Sequence, residues 1–212
     1  GNLLIVDEHA VGSLAVAMAS LVRQGAHVYL LNFVGEDMQW SDLVTQLEYD
    51  GVSVHGRGGM RSVLADLVTL VDERHELSDH RAPAHVLVVA AMGRARDFDA
   101  NGYDDDDPVN VLGRILRDGP EVGVHVIGWF DRPAGIDKRM GRQLMAEFGQ
   151  RLVAHLSRDE SGNLVDSDSA ASLKPGQGLL ADVDRATEYK VRTFAAPPSD
   201  WLVSLHSAAG HG

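Results

Sequence analysis

The chain has 212 residues, of which 19 are lysine or arginine and 31 are aspartate or glutamate, so its formal net charge is -12. This length suffices for one large domain, because a chain of this size buries roughly 70% of the surface that it exposes when unfolded. The charge opposes binding of a phosphate backbone over most of the surface, and the absence of cysteine excludes disulfides, thiolate metal sites and a cysteine nucleophile.

Short runs rich in valine, leucine and isoleucine alternate with amphipathic segments along the first part of the chain. This alternation is typical of an α/β fold with a mostly parallel sheet. It predicts strands at residues 2–6, 26–35 and 52–55, and helices at residues 11–23, 41–51 and 60–77. Ser41 is the expected N-terminal cap of the second helix, and Gly51 is its expected stop.

The same pattern continues in the second half of the chain. Residues 84–92, AHVLVVAAM, form the most continuously apolar run and predict a central strand that is buried on both faces. Asp107 followed by Pro108 predicts the start of a helix at residues 109–117. The remaining predicted elements are strands at 122–131 and 150–157, a helix at 138–149, an edge hairpin at 176–183 and 187–196, and a closing segment at 197–212.

The turn after the first strand has the position of a phosphate-binding loop. Such a loop, G-x-x-x-x-G-K-[ST], needs glycines so that backbone N–H groups face the phosphates, a lysine to neutralise their charge and a hydroxyl to bind Mg²⁺. Residues 7–14 read DEHAVGSL, so only Gly12 matches. Asp7 replaces the first glycine, Ser13 the lysine and Leu14 the hydroxyl residue, which predicts loss of phosphate and magnesium binding.

The second half of such a site is an apolar strand that ends in two acidic residues, one for Mg²⁺ and one for the attacking water. The matching strand here is HVLVVAAM, and Ala90 and Ala91 stand at the two acidic positions. Two independent catalytic elements are therefore missing at the two places where this fold would hold them. The sequence predicts a domain that does not hydrolyse nucleotide.

The order of these segments resembles the FtsK/SpoIIIE-type P-loop ATPases over essentially the whole chain. The resemblance rests on NLLIV as the first strand, LVVAAMGRARDFD at the acidic-strand position, ILRDGPEVGVHVIGWFDRP leading into the strand that carries a polar sensor residue, and SLKPGQGLLADV near the end. It is a resemblance to the degenerate modules that occur in tandem within larger translocases, including the type VII secretion ATPases.

The resemblance implies a RecA-like three-layer sandwich with a C-terminal edge hairpin, and a single domain, residues 1–212, cut from a longer protein. It also implies where a nucleotide would have bound. The implied positions are Asp7, Gly12, Ser13 and Leu14 in the degenerate nucleotide loop, Ala90 and Ala91 at the degenerate acidic strand end, and His125 and Asp131 in the sensor region.

Intact members of this family are hexameric motors that bind ATP and move DNA or exported protein. For this chain we expect a non-catalytic module with a structural, regulatory or protein-docking role and no catalytic residue. We expect no cofactor, although the resemblance implies ATP with Mg²⁺ as the ligand of the family. The alternative is an ATP-binding translocase subunit that engages DNA or exported protein with help from adjacent subunits. Expected partners are other ATPase domains of the same or a neighbouring chain and, through the larger assembly, exported protein or DNA.

The apolar runs also bear on location. The longest have about eight residues, against the roughly 20 that cross a bilayer. We therefore expect a cytoplasmic segment that makes no membrane contact itself and is held at the inner face of the membrane by domains outside this sequence.

The acidic segment DFDANGYDDDDP has the opening of a calcium-binding loop, with Asp97, Asp99, Asn101, Gly102 and Asp105 at the ligand and glycine positions. Pro108 stands where the closing glutamate belongs, and a strand precedes the segment, which excludes an EF-hand. The pattern predicts a solvated acidic loop, and a lone calcium-binding loop is the alternative.

Other motifs give weaker indications. The ten histidines, among them His75, His80 and His85, show no metal-ligand spacing, so we expect no metal site. GRGGM, residues 56–60, is either a flexible loop or a second anion-binding turn with Arg57 and Arg61 beside it. The turn after the first strand lacks the G-x-G-x-x-G of a dinucleotide-binding domain and the G-x-S-x-G of a serine hydrolase.

Overall fold

In the computed structural model, which describes residues 1–77, 82–198 and 200–201, the chain forms an eight-stranded sheet in the order β3-β2-β4-β5-β1-β6-β7-β8. The six strands from β3 to β6 in that order are parallel, and β7 and β8 add an antiparallel edge. The strands are β1 (Leu3–Val6), β2 (His27–Asn32), β3 (Ser53–His55), β4 (His85–Ala90), β5 (Val124–Phe130), β6 (Gln150–Val153), β7 (Gln177–Asp182) and β8 (Thr187–Arg192).

Helices cover both faces of this sheet, which confirms the predicted α/β sandwich with its C-terminal edge hairpin. The helices are α1 (Val11–Arg23), α2 (Met38–Tyr49), α3 (Met60–Leu77), α4 (Pro108–Asp118), α5 (Ile136–Arg139), α6 (Gly141–Ala146) and α7 (Arg158–Val165). No described helix is apolar over a length that would cross a membrane.

Two apolar layers lie on opposite faces of the sheet. The first packs α1 and α2 on the strands through Leu14, Met18 and Trp40. The second packs the helices from α3 onward on the other face around Phe98 and Phe148. Strands with apolar side chains toward both layers have no polar face, which explains the continuously apolar sequences of β1 and β4.

Strand β1 is central, because it pairs in parallel with β5 on one side and with β6 on the other. Leu4 is aligned with Gly128 of β5 and with Arg151 of β6. A Cβ at Gly128 would lie 3.2 Å from the ring of Phe148, so the glycine allows the second layer to approach the sheet closely.

Buried polar side chains stabilise the amino-terminal end of this central region. Asn2 is 3% exposed; its amide nitrogen donates to Leu116 O (2.8 Å) and Glu147 O (3.1 Å), and its Oδ1 accepts from Val126 N (3.0 Å). Arg151 donates to three backbone carbonyls, those of Phe148 (3.1 Å), Leu164 (2.6 Å) and Met145 (3.2 Å). Burial lowers the pKa of Arg151, and the charges of Asp166 and Asp184 oppose that shift.

The predicted bounds of two helices were wrong. Helix α2 begins at Met38, with Asp37 rather than Ser41 as its cap, because Asp37 Oδ1 accepts a hydrogen bond from Trp40 N (2.9 Å). The helix predicted at residues 138–149 is broken into α5 and α6, because Gly141 adopts a positive φ of 66°, which a continuous helix does not allow.

The strand predicted at residues 150–157 ends at Val153 and is followed by a helix, α7, that the apolar pattern did not predict. A capping box starts α7: Ser157 Oγ accepts from Glu160 N, and the Glu160 carboxylate accepts from Ser157 N (3.0 Å). The predicted closing segment at residues 197–212 lies mostly outside the described residues.

Candidate functional site

The carboxyl ends of β1, β4, β5 and β6 meet at one edge of the sheet, where open α/β sheets place their ligands. Most of the positions that the sequence predicts for a nucleotide site come together there. Around this edge lie the turn after β1, the first turn of α1, the end of β4 and the residues that follow β5.

Asp7 makes the turn after β1 self-contained. Its carboxylate Oδ1 accepts a hydrogen bond from His9 N (2.8 Å), its backbone N–H donates to Phe130 O (3.1 Å), and its carbonyl accepts from Trp129 Nε1 (2.7 Å). In a phosphate-binding loop, backbone N–H groups such as that of His9 face the ligand. Here a buried carboxylate of the chain takes one of these donors, so the turn carries its own anion.

The first turn of α1 is also occupied by the chain itself. Helix α1 begins at Val11 without a side-chain cap, and a segment that follows β8 crosses it. A Cβ at Gly12 would overlap the backbone carbonyls of Phe194 and Ala195, and Ser13 Oγ lies 3.4 Å from Phe194 N as its acceptor. The one glycine that matches the phosphate-loop pattern therefore makes room for the chain's own backbone.

Leu14, at the position of the magnesium-binding hydroxyl, belongs to the core. Its side chain is fully buried in the layer formed with α2. The turn of α1 that it belongs to therefore contributes apolar packing to that layer.

The end of β4 offers no carboxylate. Ala90 and Ala91 are both buried, at 0% and 2% exposure, and Ala91 has a left-handed backbone with φ of 54°. Arg139 stabilises the turn that follows, because its Nε donates to Gly93 O (3.1 Å) and its Nη1 donates to Phe98 O (3.3 Å).

The strained position of Ala91 gives a measurable contrast with its neighbour. We expect Ala91→Gly to change the free energy of unfolding by less than about 0.5 kcal/mol, because relief of about 1 kcal/mol of left-handed strain offsets the loss of a buried methyl group. Ala90→Gly, the matched control in β4, has no such strain to relieve and should cost about 1–2 kcal/mol. Urea denaturation measures both values, and equal losses would contradict this account.

Beyond β5, Asp131 and Arg132 each form an ion pair at the candidate site. Asp131 lies 3.8 Å from Arg94, and Arg132 lies 3.5 Å from Glu8 in the turn after β1. Asp131 and Glu8 line one cavity, and the Asp131 carboxylate faces Arg94 in the turn after β4.

The prediction that His125 shares the sensor region with Asp131 is wrong in its geometry. His125 lies near the amino end of β5, so the rise of the strand puts it about 20 Å from Asp131. Its Nδ1 lies 3.5 Å from the amino group of Gly1, and burial lowers the pKa of His125. This contact lies at the amino ends of the strands, opposite the candidate site.

A cavity of about 700 Å³ opens beside the turn after β1. The ends of β1, β5 and β6 form one wall, and the segment before β7 forms another. Its charged and ionisable lining residues are Asp7, Glu8, His9, Asp131, Arg132, His155, Glu160 and Lys174, and its apolar lining includes Pro133, Leu156 and Leu173.

Sequence reasoning missed the contribution of His155, Glu160 and Lys174 to this cavity. The spacing of Ser157 and Glu160, a capping-box pattern, was the available indication that a helix follows β6. A helix at that point brings Glu160 back toward the sheet edge. No pattern in the sequence indicated that Lys174 lies across from it.

The acidic segment does not bring together the ligands of the alternative, a calcium-binding loop. Asp97 is paired with Arg57 (2.9 Å), and Asp99 Oδ1 accepts from Asn101 N and Nδ2 (3.1 Å each). The carboxylates that do come together are those of Asp104, Asp106 and Asp107. Asp107 stands at the start of α4 as predicted, but its Oδ2 accepts from Asp104 N (3.2 Å) instead of capping the helix.

The GRGGM segment and the histidines form no further site in the described parts of the chain. Arg57 pairs with Asp97, and Arg61 donates to Asp106 O (3.0 Å), so both arginines contact the acidic segment rather than an anion-binding turn. His75 Nε2 lies 3.1 Å from Asp118 O, and His85 Nδ1 lies 3.0 Å from Tyr29 Oη. Burial, Arg74 and His27 together lower the pKa of His85 to about 4. His80 lies outside the described residues.

No family model and no curated protein matches the sequence. Solved structures do match. The conjugation coupling protein TcpA of pCW3, in its monomer form with ATPγS, superposes with a TM-score of 0.68 at 15% identity over 97% of this chain and 64% of its own. ATPases 2 and 3 of EccC from Thermomonospora curvata, in complex with a signal sequence peptide, superpose with a TM-score of 0.67 at 15% identity over 100% of this chain and 43% of theirs.

The cytoplasmic domain of the same type VII secretion ATPase superposes with a TM-score of 0.66 at 21% identity, over 100% of this chain and 28% of its own. The chain thus spans less than two thirds of each of these three structures. Identities of this size establish architecture. The chain shares the RecA-like α/β fold of these ATPase structures, and this fold class is the one that its sequence predicts.

Proposed function

We propose that residues 1–212 are one non-catalytic P-loop domain of an FtsK/SpoIIIE-type translocase, which acts as a structural, regulatory or protein-docking unit beside other ATPase domains of the same or a neighbouring chain. The observation that carries the proposal is the hydrogen bond from His9 N to Asp7 Oδ1, because it places a buried carboxylate of the chain on a loop donor that would otherwise face phosphate.

Electrostatics support the same conclusion. A triphosphate brought to this loop would approach the carboxylates of Asp7 and Glu8, and Arg132, a cation beside the loop, is already paired with Glu8. Each pair of like charges raises the cost of binding, most strongly where water is excluded. The end of β4 adds no metal-binding carboxylate that would bring compensating Mg²⁺.

The cavity supports a docking role more than a DNA-binding role. Its lining mixes apolar side chains with both signs of charge, which suits a polypeptide, and the net charge of -12 opposes a nucleic acid. Among the structures with this fold, that of EccC ATPases 2 and 3 holds a signal sequence peptide. We extend this to a partner polypeptide as the class of ligand for this chain.

The test is thermal unfolding of the protein with millimolar ATP and Mg²⁺. We expect a shift of the midpoint Tm below about 1 °C. A ligand present at 100 times its Kd would add about 2.7 kcal/mol, which corresponds to roughly 5–10 °C for a protein of this size. TcpA, which was solved with ATPγS, is the positive control.

Hydrolysis is measured on the same samples. A Tm shift of several degrees would favour the alternative, an ATP-binding translocase subunit completed by its neighbours. An ATP hydrolysis rate that exceeds the rates of the Ser13→Ala and Asp131→Ala variants would exclude a non-catalytic domain.

A further inference from the structure

The segment at residues 193–198, which we call the strap, connects three parts of the candidate site. It leaves the edge hairpin at Thr193, whose N–H donates to Gly176 O (3.1 Å) and which lines the cavity beside the turn after β1. It then crosses the first turn of α1 at Gly12 and Ser13. Strap, cavity wall and helix start are therefore in direct contact.

The contact with Gly12 is between backbones and is close. The carbonyls of Phe194 and Ala195 lie where a Cβ at Gly12 would be, so the strap fits on α1 because position 12 has no side chain. These carbonyl oxygens carry partial negative charge and lie at the positive end of the helix, where such charge is stabilised.

Side chains beyond this contact help to hold the strap. Ser13 Oγ accepts from Phe194 N at 3.4 Å, a long and weak hydrogen bond. Pro197 and Pro198 restrict the backbone of the strap, which lowers the entropy that it gains on release. Trp201, a few residues later, packs against the α1–α2 layer.

We propose that the strap is a displaceable cover: residues 193–198 close the first turn of α1 to solutes, and release of the strap uncovers that turn and the adjoining cavity wall. The loss of nucleotide-loop residues and the presence of the cover are separate properties. The cover depends on Gly12 and on the strap, and it does not depend on Asp7 or on the end of β4.

The absence of cysteine from the sequence makes the cover directly measurable. Ser13→Cys places a single thiol of similar size under the strap, and Ser20→Cys places one on the exposed part of the same helix. The probe is dithiobis-nitrobenzoate, an anionic thiol reagent. A thiol near a helix N-terminus has a lowered pKa and is intrinsically reactive, so slow labelling at position 13 reports steric exclusion.

We expect Ser13→Cys to react at least about tenfold more slowly than Ser20→Cys, which corresponds to about 1.4 kcal/mol of protection. Adding Gly12→Ala, which forces a methyl group against the strap carbonyls, should raise the rate at position 13 about tenfold and leave that at position 20 unchanged. Gly162→Ala is the matched control, because position 162 in α7 has open space for a Cβ. It should change neither rate.

A second variant opens the strap without a clash. Pro197→Gly combined with Pro198→Gly raises the entropy of the released strap, and we expect the Ser13→Cys rate to rise about fivefold or more. The proposal is overturned if positions 13 and 20 react equally in the parent sequence, or if neither Gly12→Ala nor the double proline variant accelerates labelling at position 13. These rates are measured without nucleotide, so they stand apart from the test for ATP binding.

Discussion

Replacing Arg151 by methionine should lower the free energy of unfolding by about 3 kcal/mol and the Tm by roughly 6–12 °C. The guanidinium is the shared donor of three backbone carbonyls, at Met145, Phe148 and Leu164, which join α6, β6 and α7. Methionine fills much of the volume but donates nothing, so buried carbonyls lose their partner.

Lysine at position 151 separates charge from geometry. It keeps the positive charge, but one ammonium group lacks the planar fork that reaches three carbonyls, so Arg151→Lys should recover less than half of the loss. Arg158→Met, at the exposed start of α7, is the control and should change stability by less than about 0.5 kcal/mol. Full stability in Arg151→Lys would show that charge alone is sufficient.

Replacing Asn2 by aspartate should cost about 4 kcal/mol at neutral pH, although the two side chains have nearly the same shape. The Asn2 amide nitrogen donates to Leu116 O and Glu147 O, and the site is 3% exposed. A carboxylate there would face two carbonyl oxygens without a proton to share, in a place that water does not reach.

The pH dependence of this variant identifies the cause. The buried carboxyl is more stable protonated, so its pKa in the folded state lies above the value of about 3.9 in the unfolded state. Between these two pKa values the folded variant binds more protons than the unfolded chain. Its free energy of unfolding relative to the parent therefore falls as the pH rises from the unfolded pKa to the folded pKa. Urea denaturation at pH 4.5 and 7.5 should show that Asn2→Asp lowers the free energy of unfolding more at pH 7.5 than at pH 4.5.

Two comparisons complete the experiment on position 2. Asn2→Ala removes the same hydrogen bonds without adding charge, so its cost of about 2–3 kcal/mol should not depend on pH. Asn163→Asp, on the exposed surface of α7, should be nearly neutral at both pH values. A deficit of Asn2→Asp that is equal at the two pH values would exclude a buried charge as its origin.

The parts of the fold that local sequence determines were predicted well. Helices α1 and α3 have the predicted bounds, because turn residues and changes in apolar periodicity mark their ends. The edge hairpin was also located correctly. Each of these features is encoded within a few neighbouring residues.

The features that were missed depend on contacts between distant parts of the chain or on backbone angles. The apolar period runs unbroken through Gly141, and only its positive φ separates α5 from α6. The cap of α2 lies at Asp37 because Trp40 is fixed in the core, where its Nε1 donates to Asn32 Oδ1 (2.9 Å). The strap meets α1 across 181 positions of sequence, so no local pattern could indicate it.

The position of β1 in the sheet has a consequence for synthesis. Both hydrogen-bonded neighbours of this strand, β5 and β6, are encoded more than 115 residues later. At a translation rate of about 5–20 residues per second, β1 waits roughly 6–30 seconds on the ribosome before either edge can be paired. During that interval neither edge of β1 has its partner strand, although the strand is apolar along its whole length.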